Sequence, residues 1–351
     1  MRAITITLTT FAFLIGGYIF WWNTVADAAL KQVEIWKKEQ TENGYIIFHK
    51  PIITSGFPYR VKLEAQSLKV TKLQGDDSDE FETTIPDIWV IAQPWKPSHI
   101  VFGSSGTSEH TWIKNSVRDT VSILPGTALG SATFTSNGEL KSLAIDINNA
   151  EIKSDAYGPA SAKRLQLHSR VTSMPKISEG TDAPTSKIDT PAWQIAIRAD
   201  TIKFENSANL PLGDTITKAA FSILIEGHFS DFKNTDAITK WRDNGGILDV
   251  QDMNLVWGKT ELSGKGTLTL DQQNYPLGAF SSKITGFNEL LALLGKSKNM
   301  DKQSLRTAAM ALNLISKEDE NGSRYLEIPV SLQDRAVFAG PFKLLGTTPL
   351  F

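Results

Sequence analysis

No cysteine occurs in the 351 residues of this chain. Disulfide stapling and thiolate chemistry are excluded, and a chain free of stray thiols suits an oxidising compartment, where wrong pairing is a hazard. A dominant sign of charge is lacking too. The 36 Lys and Arg against 38 Asp and Glu leave a net charge of −2, and the pI is near 6.2. With no block of Lys or Arg anywhere, the electrostatic footprint of a nucleic-acid binder is missing, and no nucleic-acid partner is expected.

Catalytic spacings are equally scarce. Gly103-Ser104-Ser105-Gly106 lacks the Gly-x-Ser-x-Gly spacing that lifts a nucleophilic serine out of a sheet. Ser173-x-x-Lys176 and Ser230-x-x-Lys233 have the spacing of penicillin-binding enzymes without their partner motifs, although Gly258-Lys259-Thr260 is superficially close. Metal-binding imidazoles commonly pair on one helical face, whereas His49, His99, His110, His168 and His228 are far apart. Residues 76–80 concentrate carboxylates, but Glu82 and Ile88 stand where a calcium loop needs glycine and glutamate. Gly264-Lys265-Gly266 is too short a glycine set to cradle phosphates. No catalytic residue, cofactor site or metal site is expected, and the chain reads as a non-enzyme.

What is present begins at the amino terminus. From Ala3 to Trp22 there is no charge, and a run of about 20 residues crosses a hydrocarbon core of about 30 Å. The run exceeds the apolar core of a signal peptide, and Tyr18, Trp21 and Trp22 cluster where amphipathic rings favour the interface. Ala26-Asp27-Ala28 nevertheless has the small-x-small form of a cleavage site, so cleavage after Ala28 stays open beside an uncleaved anchor. A one-residue basic tail and a long following domain favour the tail staying inside, with the bulk of the chain in the periplasm of a single-pass inner-membrane protein. Val25, Ala29, Val33 and Trp36 recur at helical spacing, so the helix should continue outward to Asn43-Gly44 and rest on lipid headgroups or on the sheet.

Four later stretches share one pattern. They start at Val61 (VKLEAQSLKV), Ile145 (IDINNAEIKS), Ile195 (IAIRADTIKF) and Leu248 (LDVQDMNLVW). In each, apolar and polar residues alternate, the phase slips by one, and an apolar residue returns at the eighth position: Leu68, Ile152, Ile202 and Leu255. A strand has a side-chain period of two, so such a slip turns the core face outward unless a bulge absorbs the extra residue. Each copy is therefore predicted to be a bulged or bent strand.

The remaining grammar is mainly β with a few helices. Gly56-Phe57-Pro58-Tyr59-Arg60 reads as a corner, since Gly56 permits unusual backbone angles and Pro58 pushes Phe57 towards an extended conformation. Pro86, Pro94 and Pro97 mark the strand around Ile88 as an edge, and Pro329 does the same for the strand from Arg324. Short helices are expected at 237–242, 289–294 and 302–315, and a hairpin turns at 271–274. The Pro/Ser/Thr-rich stretch from Thr172 to Pro191 reads as a long loop between two halves. The expected organisation is an anchor at 1–23, an amphipathic helical extension at 24–42, a first β half at 43–180 and a second at 181–351. The expected architecture is a curled antiparallel sheet or half-pipe built from bulged strands.

The corner residues and the anchor together resemble an alphaproteobacterial membrane-anchored family, domain of unknown function 2125. Its members carry one N-terminal membrane helix and a Gly-Phe-Pro-aromatic-Arg signature. The closing Asp334-Arg335-Ala336-Val337-Phe338-Ala339-Gly340-Pro341-Phe342, and Leu255-Val256-Trp257-Gly258 with Gly266-Thr267-Leu268-Thr269-Leu270-Asp271, are similar to that family's last units. A more distant resemblance to AsmA-like envelope proteins implies a sheet that is apolar inside and tied to lipid movement; it brings no catalytic residues. On this reading Val61, Leu63, Ile145, Ile147, Ile195, Ile197, Leu248 and Val250 face lipid acyl chains. Phospholipid and envelope proteins are the expected partners beside the membrane itself. The alternatives are that these side chains pack as an ordinary core, or that the chain is an anchored scaffold without lipid cargo.

Overall fold

The computed structural model describes residues 2–72, 80–114, 117–175, 189–205, 210, 212–227, 235–294, 302–318, 320 and 322–350. The described residues contain nineteen strands and four helices. Contacts divide the chain into two compact units, Met1–Ala160 and Ser161–Phe351. The expected boundary near Gly180, the middle of the expected loop (176–188), most of the acidic run, His228, Ser230 and Lys233 lie outside the described residues. The ends of that stretch, at Thr172 and Pro191, lie in strands.

The first unit opens with α1 (Arg2–Glu42), one continuous helix that ends where Gly44 adopts a left-handed φ of 83°. At 1.5 Å per residue its 41 residues span about 60 Å, twice a hydrocarbon core. It is long and apolar enough to cross a membrane, with a mean hydropathy of 1.7 over its most apolar window. The outer half therefore has length left to meet the sheet.

That sheet comprises β1 (Tyr45–Phe48), β2 (Ile53–Ser55), β3 (Val61–Lys72), β4 (Glu80–Gln93), β5 (Lys96–Ser105), β6 (Ser108–Lys114), β7 (Val117–Leu124), β8 (Thr127–Phe134) and β9 (Leu140–Ser154). Pairing is antiparallel: β1 and β2 both lie on β3, β3 on β4, β4 on β5 and β6, and these on β8 and β7, which both lie on β9. A crease runs across it. Ser67 has φ 55°, Pro86 stands opposite it, Gly106 (φ 79°) separates β5 from β6, Pro125-Gly126 separates β7 from β8, and Asn149 has φ 49°. Pairing register is unshifted across this line, with Gln66 opposite Asp87 and Leu68 opposite Ile85, so the strands bend here together. The phase slip seen in the sequence is this crease.

Pro86 does not mark an edge, because β4 pairs on both sides. It stands at the crease, opposite Ser67, with its ring against Gly106, where an added Cβ would approach it to 3.1 Å.

The second unit holds β10 (Gly158–Pro175), whose first residues lie before the unit's start, β11 (Asp189–Phe204), β12 (Thr215–Glu226), α2 (Thr235–Asp243), β13 (Ile247–Trp257), β14 (Thr260–Leu270) and β15 (Pro276–Thr285). It continues through α3 (Phe287–Leu294), α4 (Lys302–Ile315), β16 (Lys317–Glu318), β17 (Arg324–Gln333), β18 (Ala336–Ala339) and β19 (Phe342–Gly346). From β11 to β15, and on through β17 to β19, each strand pairs antiparallel with the next, while β16 adds to one end of β17. The slips recur: Thr201 has φ 49°, and the pairings of β13 shift register between Ser222 and Ile223 and between Val250 and Met253.

Pro329 is also interior, with β15 on one side and β18 beyond. Its carbonyl accepts from the Gly340 N–H at 2.8 Å, so its missing donor faces the Gly340-Pro341 turn rather than a ladder partner. That turn separates β18 from β19.

The main core of this unit joins Phe287 and Leu291 of α3, Leu312 of α4, Leu326 and Ile328 of β17, and Ala339. Trp241 of α2 caps the sheet end, donating Nε1–H to the Glu226 carbonyl at 2.7 Å and lying where a side chain at Gly246 would stand. Among the larger described side chains only Leu326 and Thr260 are essentially inaccessible. The strands are thus covered locally by helices, with much of their area half-exposed.

Candidate functional site

Strand register assembles one apolar face in each unit. In the first, the row Leu63, Val90, Phe102, Gly130 and Ile145 crosses five strands, and Ala65, Ile88, Ser104, Ala128 and Ile147 form the next row. The intervening positions make a mixed opposite face: Lys62, Glu64, Asp146 and Asn148 are polar, while Trp89 and Ile91 of β4, Val101 of β5 and Leu129 of β8 lie on that same side. In the second unit, Ile195, Ile223, Val250, Gly266, Phe280 and Val330 form a row, and Trp193, Ile225, Leu248 and Leu268 begin another. Ile197 starts a third row beside Phe221.

All eight residues singled out from the sequence lie on these faces, four per unit. Their exposure differs. Val61 is 3 % exposed, covered by Trp22 and Ala26 of α1, and Leu63 packs on the same cluster with Val25 and Ala29. Val250 is also 3 % exposed. Ile145, Ile147, Ile195 and Leu248 are half-buried, and Ile197 is 52 % exposed. Helix α1 therefore shields one margin of the first face, and α3 with α4 shields one margin of the second, by Leu326 and Ile328.

Two features of these sheets went unread in the sequence. Aromatic rings fill the space above strand glycines: a Cβ at Gly130 would lie 2.3 Å from Phe102 Cζ, and one at Gly103 would lie 2.5 Å from Trp89. Each pair is directly cross-strand, so the ring packs on bare backbone. Glycines inside Val101-Phe102-Gly103 and Leu129-Gly130 were the available signal.

The second feature is a polar chain beyond the crease. Thr83 Oγ1 and His110 Nδ1 are 3.1 Å apart, His110 Nε2 and Ser108 Oγ are 3.2 Å apart, and Ser108 donates to the Ile123 carbonyl at 3.4 Å. In the Nε2-protonated tautomer each donor meets an acceptor. Burial pushes the His110 pKa down, favouring this neutral form. Serine and histidine touch here, but the imidazole is oriented by a threonine rather than a carboxylate.

A groove of about 830 Å³ lies in the second unit over Gly264 and Gly266, bordered by Asp252, Lys265, Lys283 and Glu327. Two of these four charges are engaged. Glu327 pairs with Lys317 at 2.6 Å, which lowers the carboxyl pKa and raises that of the amine, and Lys283 sits 4.4 Å from the Tyr325 ring centre. Among the described residues no cluster of three His, Asp or Glu side chains could hold a metal ion.

The corner joins the anchor to the first face. Tyr18 Oη donates to the Pro58 carbonyl at 2.5 Å, and Trp22 Nε1–H donates to the Arg60 carbonyl at 3.1 Å. The Phe57 ring stands edge-on to Trp22, 5.5 Å between centres, and lies 6.1 Å from Tyr18. Phe57-Pro58 is cis. Gly56 has φ 102°, and a Cβ there would approach the Arg60 carbonyl oxygen to 2.7 Å, so only glycine fits. Phe57, Pro58 and Arg60 of the corner thus clasp the aromatic end of the long uncharged run.

A family model described as an uncharacterized protein conserved in bacteria (DUF2125) matches residues 22–349. The chain belongs to that family. No curated protein and no solved structure matches it.

Proposed function

We propose that this is an inner-membrane-anchored periplasmic protein whose apolar sheet faces, one in each unit, take up lipid acyl chains, sheltering or transferring them or assisting outer-membrane assembly. The observation that carries this reading is the row from Leu63 to Ile145, apolar across five strands, with α1 packed at its β3 margin. A face of that kind needs no directional motif, because each methylene moved from water onto it gains about 0.8 kcal/mol. Transfer then involves no bond making, in keeping with a non-enzyme. The alphaproteobacterial origin and the kinship with AsmA-like envelope proteins belong to the same proposal.

Lipid mass spectrometry tests it. The full chain and an Ile145→Asp, Ile147→Asp variant are purified in the same detergent, so that lipid held by α1 is common to both. The native chain should carry additional phospholipid in near-stoichiometric amount; equal lipid content in two folded proteins would contradict the proposal.

One observation favours a scaffold instead. Ile46 and Phe48 of β1 and Ile53 of β2 are exposed, on strands whose described partner is β3 alone. An apolar edge of this type can take up an added strand from a protein partner. A stoichiometric partner lost on Phe48→Lys, with lipid content unchanged, would select that reading.

A further inference from the structure

We infer that the end of the first sheet nearest the anchor is a membrane-contacting lip, formed by the corner at Phe57, Tyr59 and Arg60 and the adjacent β4–β5 turn at Trp95 and Lys96. Its partner is the surface of the same bilayer that α1 crosses. The inference depends on α1 being a membrane anchor and not on any lipid being held by the sheet.

Three observations converge on it. The corner is fixed to the helix by the bonds from Tyr18 and Trp22, the residues at the end of the uncharged run, where aromatic rings mark the headgroup level. The corner is thus held at that depth. Second, register pairs Val61 with Ala92, which brings the turn after Gln93 beside Arg60. Third, the large rings at this end are exposed: Phe57 50 %, Tyr59 75 % and Trp95 56 %. Such exposure is costly in water but favourable at a bilayer interface, where the ring meets acyl chains and the polar atom meets headgroups. Arg60 and Lys96, both exposed, add two cations suited to anionic headgroups. The apolar face begins one residue beyond this lip, at Val61.

The absence of cysteine allows a clean test in the full chain. Single variants Tyr59→Cys, Trp95→Cys and Tyr157→Cys are labelled with a polarity-sensitive dye and reconstituted in vesicles of phosphatidylethanolamine and phosphatidylglycerol. Tyr157 is an exposed control in the turn after β9, at the far end of the same sheet. Nitroxide-bearing lipids should quench the dyes at positions 59 and 95 several-fold more than at 157. Quenching at 59 and 95 no greater than at 157 would overturn the lip, as would dyes that report an apolar site yet escape lipid quenching, the signature of a protein partner or a second copy. A lip that dips while the sheet carries no phospholipid would leave this inference standing and remove the cargo proposal.

Discussion

The indole N–H of Trp22 reaches the main-chain carbonyl of Arg60 at 3.1 Å, tying the end of the long uncharged run to the corner that starts β3. The same indole covers Val61, so one residue supplies a hydrogen bond and a buried contact at the root of the first sheet. Trp22→Phe removes the bond while keeping a ring, and should cost about 1 kcal/mol. Trp22→Ala also empties the contact and should cost about 3–5 kcal/mol. Denaturant unfolding of the full chain in detergent measures both; equal costs would mean the buried ring contributes nothing beyond the bond, and no cost for Trp22→Phe would mean the bond contributes nothing.

Gly56→Ala should destabilise the corner by roughly 1–3 kcal/mol, because its positive φ and the approach of the Arg60 carbonyl both oppose a Cβ. Gly138→Ala provides the comparison. Gly138 also has positive φ, at 84°, but an added Cβ there meets nothing within 4 Å. A larger drop in melting temperature for Gly56→Ala is expected, and equal drops would show that the contact with Arg60 is immaterial.

Gly130→Val should be tolerated poorly, since Phe102 occupies that space and must move off the sheet face. The cost of such overpacking is about 1–3 kcal/mol. Phe102→Ala combined with Gly130→Val should recover part of the loss, and a double-mutant cycle reads this coupling. Strict additivity would contradict a direct ring–glycine contact.

Stability should fall as pH drops through 6.5, the ordinary imidazole value, because the unfolded chain binds a proton there that buried His110 resists. The contribution is fully present above that pH and is lost on acidification. Glu226 acts with the opposite sign around its ordinary 4.5, since burial, then Asp249, raises its pKa and favours the protonated folded form. Melting curves of native chain and His110→Gln should therefore converge at lower pH, the variant showing the flatter profile near 6.5; parallel profiles would exclude His110 as the source.

The sequence made the bulged strands legible because a one-residue slip in a period of two has few physical solutions. Ser67, Asn149 and Thr201 supply it through positive φ, and β13 through its shift of register. The eight apolar positions were legible for the same reason. What covers them was not: the stripe at Val25 and Ala29 fits lipid or sheet equally well, and only folding shows it resting on Val61 and Leu63. Pro86 and Pro329 were misread as edge markers because proline also fits inside a sheet at an irregularity, Pro86 at the crease opposite Ser67 and Pro329 against the Gly340-Pro341 turn. The clasp of Tyr18 and Trp22 on the corner joins residues about 40 positions apart, beyond the reach of any local pattern.

Site-specific photocrosslinking in native membranes tests most directly the proposal that the apolar faces hold lipid. A benzophenone amino acid is placed at Ile145 and Ile197, and at their opposite-face neighbours Ala144 and Arg198. Phospholipid adducts at 145 and 197 with little at 144 and 198 are predicted. Equal yields at all four positions, or no lipid adduct at 145 and 197, would contradict the account.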